Sequence, residues 1–212
     1  MDGWLVIADA STRPTAAEPP YDDRSRALAL VVGMATLMWA VEVVDLLAGE
    51  LDSAGIRPRD PDGLVGIAAS PFLHGSFGHL LGNTIPFIVL GAVIALGGLA
   101  RVAVVTLIVA GIGGLGTWIT GPAGTVHIGA SGIVFGFAAY LVARGAYSRR
   151  PLHVGVGLVV LAVYGTTLLV GLVPTPGVSW QGHLFGAIGG IVAARVLHRQ
   201  RARTASPVVA AY

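Results

Sequence analysis

Apolar residues in this chain come in long runs, and the polar residues gather between the runs or at their ends. Crossing a hydrocarbon core of about 30 Å takes about 20 consecutive apolar residues in a helix. Six runs meet that requirement, and the pattern predicts helices over 27–48, 77–98, 102–120, 131–147, 152–173 and 179–197. The third is the least regular, interrupted by Gly111, Gly113, Gly114 and Gly116. A long loop joins the first and second helices.

Composition turns these runs into a membrane assignment. Of 212 residues, 54% are hydrophobic and only 11% charged, whereas soluble domains carry about 25% charge. The fold class that follows is an all-α polytopic membrane protein, a bundle of six transmembrane helices. Every basic side chain is Arg, and all but Arg57 and Arg59 fall in the N-terminal tail, the 2–3 turn, the 4–5 turn or the C-terminal end. With an even number of spans these groups share one side, so the positive-inside bias predicts cytoplasmic termini in the cell (plasma) membrane. The net charge of +2 does not form one basic face, so the bilayer is the expected partner and nucleic acid is not.

Residues 1–25 are mixed polar and lack a basic stretch followed by an apolar run, so they read as a disordered cytoplasmic tail rather than a signal peptide. Residues 26–198 form the predicted membrane domain, and 199–212 a C-terminal cytoplasmic tail. There is no cysteine, which excludes disulfides, thiolate metal sites and cysteine nucleophiles.

The polar residues inside the runs are not scattered. In the predicted topology the second, fourth and sixth helices begin on the outer side. Their first turns hold His79 and Asn83, Ser131, and His183 respectively. Polar groups in lipid-buried helices are costly and face the bundle interior, so these four can converge on one cavity open to outside water. His79 and Asn83 share a helix face at i, i+4, and His74 precedes them in the loop. Gly132 and Gly136 on the fourth helix, and Gly182, Gly186 and Gly190 on the sixth, repeat every four residues. Such stripes let helix backbones approach closely in lipid, as a hydrogen bond between the short side chains of Ser131 and His183 requires.

A serine hydroxyl becomes an effective nucleophile when a base within about 3 Å takes its proton, and neutral histidine is the usual base. Ser131 and His183 supply that pair. All acidic residues lie at or before Asp62, so a dyad is expected rather than a triad. Glu42 and Asp45, in the first helix, are expected to hold the 1–2 loop through Arg57 or backbone donors. Acyl transfer also needs oxyanion donors, each worth roughly 3–4 kcal/mol. Asn83, His79 and the Ser131 backbone N–H are placed to provide them, while Gly129 and Gly132 allow a tight turn beside the nucleophile. A His-Glu-x-x-His zinc motif and paired membrane aspartates are both missing from the sequence, so neither metal nor cofactor is expected.

Three motifs, His74-Gly-Ser-Phe-Gly-His79-Leu-Leu-Gly-Asn83, Gly129-Ala-Ser131-Gly132 and Gly182-His183-Leu-Phe-Gly186-Ala-Ile-Gly-Gly190, resemble the signatures of the rhomboid intramembrane serine proteases. The resemblance covers about residues 27–197 and points to the compact six-helix bacterial type. It implies that Ser131 is the nucleophile, His183 its base, and that His79 and Asn83 serve the oxyanion hole. His74 is implied to be structural, supporting the 1–2 loop. In that family a tyrosine four residues after the serine commonly packs on the histidine; here Phe135 keeps the stacking face without the hydroxyl. The Trp-Arg pair that many members carry in the 1–2 loop is not evident in Gly63-Leu-Val-Gly-Ile-Ala-Ala-Ser-Pro71. The implied substrate is another protein's transmembrane segment, with small residues at the cut, entering between the second and fifth helices beneath Pro174 to Trp180.

Two other readings stand beside this one. A catalytically inactive rhomboid-like binding protein is expected to lose the serine or the histidine, and a small polytopic transporter is expected to show internal repeats and paired broken helices. His127, His153 and His198 read as surface residues, and Trp118 and Trp180 as interfacial aromatics.

Overall fold

The structure is a computed structural model that describes residues 19–205. Seven α-helices follow one another: α1 (Tyr21–Ala48), α2 (Gly66–Ala69), α3 (Phe77–Ala95), α4 (Leu99–Thr120), α5 (Ser131–Ser148), α6 (Pro151–Val170) and α7 (Trp180–Ala205). No strand occurs among the described residues, only the isolated bridge between Ile56 and His127. The protein is an all-α, multi-pass membrane bundle; α1, α3, α4 and α6 are long and apolar enough to cross a membrane by length and composition.

The six predicted segments correspond to α1, α3, α4, α5, α6 and α7, with shifted ends. Helix α1 starts at Tyr21, so residues 21–25, assigned to the tail from sequence, form its first turns, favoured by Asp22 and Asp23 near the positive end of the helix dipole. Residues 1–18 of that tail and 206–212 of the C-terminal tail lie outside the described residues. Helix α7 continues through the Arg-rich stretch to Ala205. Helix α3 stops at Ala95 and the chain reverses at Gly98, whose φ is +91°. A side chain at Gly98 would meet the Asp23 carboxylate, which accepts the Leu99 N–H at 3.2 Å and so caps α4 from α1.

The glycines that interrupt the third segment do not break it. A Cβ at Gly116 would collide with the Phe185 ring, and one at Gly113 would lie 3.4 Å from the Gly186 Cα. The helical cost of glycine, about 1 kcal/mol each in water, is offset by close approach to α7. Helix α5 is the centre of the bundle, with Ile133 to Ala138, Tyr140 and Leu141 buried and Phe137 stacked on Phe87 of α3 at 5.5 Å. Its small face meets that of α7: a Cβ on Gly186 would strike the Gly132 carbonyl oxygen, and one on Gly190 the Gly136 carbonyl oxygen. Helix α6 lies outermost, packs chiefly on α5, and buries only Gly157 and Val160.

The connection from α1 to α3 folds back over the end of the bundle where α5 begins. Ile56 and His127 exchange backbone hydrogen bonds of 2.9 Å. Arg59, at φ +61°, donates to the Ile119 and Gly121 carbonyls and satisfies the last turn of α4. Trp118 Nε1 donates to the Asp60 carbonyl at 2.8 Å. Arg57 pairs with Asp60 at 2.7 Å, which holds that exposed carboxyl below the usual carboxylate range. Of the helix α1 acids, Asp45 accepts the Leu51 N–H at 2.6 Å. Arg57 is thus engaged within the loop, and the carboxylate of Asp45 reaches a backbone donor.

Candidate active site

Ser131 is the first residue of α5 and His183 lies in the first turn of α7. The small faces of these helices bring the two side chains together: Ser131 Oγ and His183 Nε2 are 2.9 Å apart. The other ring nitrogen, Nδ1, is 2.7 Å from the carbonyl oxygen of Gly171. A carbonyl only accepts, so Nδ1 carries the hydrogen and Nε2 presents its lone pair to the Ser131 hydroxyl. The group orienting His183 is therefore a backbone carbonyl just past the end of α6, not a carboxylate.

Phe135, one turn along α5, fixes the ring plane. It stacks on His183 with centroids 4.1 Å apart and planes 8° from parallel. Both side chains are buried, with His183 8% and Phe135 5% exposed. Gly171 must lack a side chain here, since a Cβ would strike Phe135 and lie 3.1 Å from His183 Nδ1.

Helix α3 supplies the opposite wall. Ser76 caps it, its hydroxyl accepting the His79 N–H at 3.2 Å. Asn83 is 6% exposed, and its Nδ2 is buried without a hydrogen-bond partner. Leaving such a donor unpaired costs about 1–3 kcal/mol. A Cβ on Gly129 would lie 2.7 Å from His79 Cε1 and 3.6 Å from Asn83 Nδ2, so both side chains border the strip of backbone leading into Ser131. Gly129 itself sits at φ +110°, a region that favours glycine, and its N–H donates to the Ser70 carbonyl at 2.8 Å.

His74 lies beneath this strip, 1% exposed. Its Nε2 accepts the Ala130 N–H at 3.3 Å, and its ring meets that of His79 edge-on at 5.1 Å. Nδ1 is buried without a hydrogen-bond partner. Burial pushes the His74 pKa down from 6.5 to about 4. It thus joins the 1–2 loop to the residue preceding Ser131. Glu42 is buried at 7% exposure, with Oε2 unpaired.

Two features were not read from the sequence. The Gly171 carbonyl has no side-chain signature; only the glycine itself hinted at a close approach. His127, taken for a surface residue, is half-buried: Thr125 Oγ1 donates to the Pro122 carbonyl and lies 3.0 Å from His127 Nε2, leaving Nδ1 to accept from Ser179 Oγ at 2.7 Å. Burial lowers its pKa from the ordinary value. This pair ties the loop before α7 to the loop before α5. Between them a narrow cavity of about 40 Å³ reaches Ser131, lined by Gly129, Gly132, Gly182 and Thr117 among others. A single water needs about 10–15 Å³ of such space, so the cavity admits a few waters or one small side chain.

The sequence model of the Rhomboid domain family matches residues 61–200. An uncharacterized Mycobacterium tuberculosis protein is 45% identical over 203 residues, covering 88% of this chain and 84% of its own. An uncharacterized Mycobacterium leprae protein is 43% identical over 201 residues, covering 87% and 79%. A Bacillus subtilis protein provisionally named a rhomboid protease is 28% identical over 121 residues, covering 57% of this chain and 60% of its own.

Proposed function

This chain belongs to the rhomboid family, and from that membership we propose that it is an intramembrane serine endopeptidase acting through a Ser131–His183 dyad. The observation that carries the reading is the 2.9 Å contact of Ser131 Oγ with a His183 Nε2 whose lone pair is free to accept. As Oγ attacks the scissile carbonyl, its proton passes to Nε2 and the imidazolium is held by the Gly171 carbonyl. The tetrahedral oxyanion takes hydrogen bonds from the orphaned Asn83 Nδ2, from His79 and from the Ser131 N–H. The imidazolium then protonates the leaving amine, leaving an acyl-enzyme on Ser131. Water, deprotonated by His183, hydrolyses it.

The substrate in this reading is a transmembrane segment of another protein. The 40 Å³ cavity beside Ser131 suits a small residue at the cut. The thin packing of α6, which buries only Gly157 and Val160, supports lateral entry between α3 and α6, beneath the chain from Pro174 to Trp180. In the same reading α5 and α7 complete six spans. The Arg-rich end faces the cytoplasm, and Ser131 lies toward the outer leaflet of the plasma membrane.

The test is reconstitution of the purified chain in liposomes with a fluorescently labelled transmembrane substrate. Ser131→Ala and His183→Ala should each lower the cleavage rate by about 10⁴-fold or more, and a fluorophosphonate should label wild type at Ser131 alone. Cleavage that persists at the wild-type rate in either variant rules out the dyad.

A further inference from the structure

A second serine–histidine contact lies at the same end of the bundle as the dyad. Ser179 Oγ and His127 Nδ1 are 2.7 Å apart, and the two residues are 52 positions apart in the chain, as are Ser131 and His183. His127 stands four residues before Ser131, and Ser179 four residues before His183. The loops that deliver the nucleophile and the base are therefore joined to each other just upstream of the dyad. The proteolytic chemistry above makes no use of this pair.

Each partner is fixed from more than one side. The backbone of His127 exchanges hydrogen bonds of 2.9 Å with Ile56 of the 1–2 loop. Thr125 Oγ1 gives its one hydrogen to the Pro122 carbonyl, so it accepts from His127 Nε2–H, and Nδ1 accepts from the Ser179 hydroxyl. Burial lowers the His127 pKa, which preserves this neutral, accepting form. Ser179 precedes Trp180, the first residue of α7, and its carbonyl takes the His183 N–H at 3.1 Å. The pair has little slack: a Cβ on Gly182 would lie 2.9 Å from Ser179 Oγ, and one on Gly121 2.9 Å from His127 Nε2. By contrast, the exposed segment 173–178 leading to Ser179 is closed by local bonds, Val178 N–H to the Thr175 carbonyl and Thr175 Oγ1 to the Val173 carbonyl. The Ser179 hydroxyl is where that stretch is tied across to another loop.

Resting on the dyad reading, we infer that His127 is a positioning residue for the proposed cleavage. By accepting the Ser179 hydroxyl it holds the head of α7 against the loop before α5, and so sets how closely His183 approaches Ser131. The glycine contacts of Gly132 with Gly186 and of Gly136 with Gly190 set the separation of the two helices; the His127–Ser179 contact sets the approach of the chain entering them. Reaction rates are steep in such geometry, a misplacement of about 1 Å costing about 10²-fold. Loss of the contact should therefore appear in turnover more than in substrate binding.

The test uses the full-length chain in liposomes with a labelled transmembrane substrate, thermal unfolding establishing that each variant is folded. His127→Phe and Ser179→Ala should each lower kcat about tenfold and change KM less than about twofold. The double variant should lose about tenfold rather than about a hundredfold, because both changes remove the same contact. His127→Asn places an amide oxygen where Nδ1 stands and should keep kcat within about threefold of wild type, while His127→Gln, whose amide reaches the Nε2 position instead, should not. The rate of fluorophosphonate labelling at Ser131, which needs no transmembrane substrate, should follow the same order. If His127→Phe does not fold, Ser179→Ala is compared with Ser179→Thr, which keeps the hydroxyl and should keep the labelling rate. An unchanged kcat in Ser179→Ala, or losses that multiply in the double variant, overturns the positioning role and leaves the dyad standing. A wild-type chain that neither cleaves nor labels removes the dyad reading and the positioning role with it.

Discussion

At the scale of single residues, the site depends on which nitrogen of each histidine carries a hydrogen, and the neighbours decide it. His183 is fixed by the Gly171 carbonyl on one nitrogen and Ser131 on the other, and His74 accepts from Ala130 N–H. His74 has a measurable consequence. Its pKa in the folded chain is about 4, against 6.5 ordinarily, so folding favours its neutral form. Above about pH 6.5 the residue is neutral in both states and contributes no pH dependence. As pH falls from about 6.5 toward 4 the unfolded state gains the proton first, and stability should drop by up to about 3 kcal/mol. Thermal unfolding between pH 4 and 7.5 should show a shallower decline in His74→Gln rather than none, since His127, whose pKa burial also lowers, titrates in both proteins. Equal slopes would place the pH sensitivity elsewhere. The sequence made Ser131, His183, His79 and Asn83 conspicuous because a polar group in an apolar run is costly. It was silent on the Gly171 carbonyl, because every residue has one and only the chain path decides where it points.

At the scale of elements, hydropathy located segments that suit lipid, whereas a helix ends where its backbone hydrogen bonds do. Helix α1 therefore starts earlier, at Tyr21, and α7 runs later, to Ala205, than the apolar runs predict. Glycines carried a second ambiguity. Those in the α5–α7 contact and those on α6 look alike in sequence, yet a Cβ at Gly190 would strike the Gly136 carbonyl oxygen, while Gly155 and Gly165 have nothing within 4 Å of that position. Gly190→Ala should force α5 and α7 apart and cost on the order of 1–3 kcal/mol or more. Gly155→Ala and Gly165→Ala should change stability by less than about 0.5 kcal/mol, or raise it by up to about 1 kcal/mol through helix propensity. Thermal unfolding in one detergent measures all three. A uniform response would mean that the α5–α7 approach is not what these glycines serve.

At the scale of the whole molecule, the two ends of the bundle differ in kind, and the difference bears on how the chain sits in the membrane. One end carries Ser131, His183 and the long folded loop; the other carries Arg24, Arg26, Arg101, Arg144, Arg149, Arg150, Arg195 and Arg199. Arginine near span ends is retained on the cytoplasmic side, so the Ser131 end should open outward. The chain has no cysteine, and single cysteines can report this without background. Ala123, in the α4–α5 loop beside the Ser131 end, and Leu96, in the α3–α4 turn at the Arg-rich end, are both exposed and uncharged. In intact cells a membrane-impermeant maleimide should label Ala123→Cys and spare Leu96→Cys, with Leu96→Cys labelled once the membrane is permeabilised. The reverse pattern would invert the protein and place the proposed cleavage at the cytoplasmic leaflet.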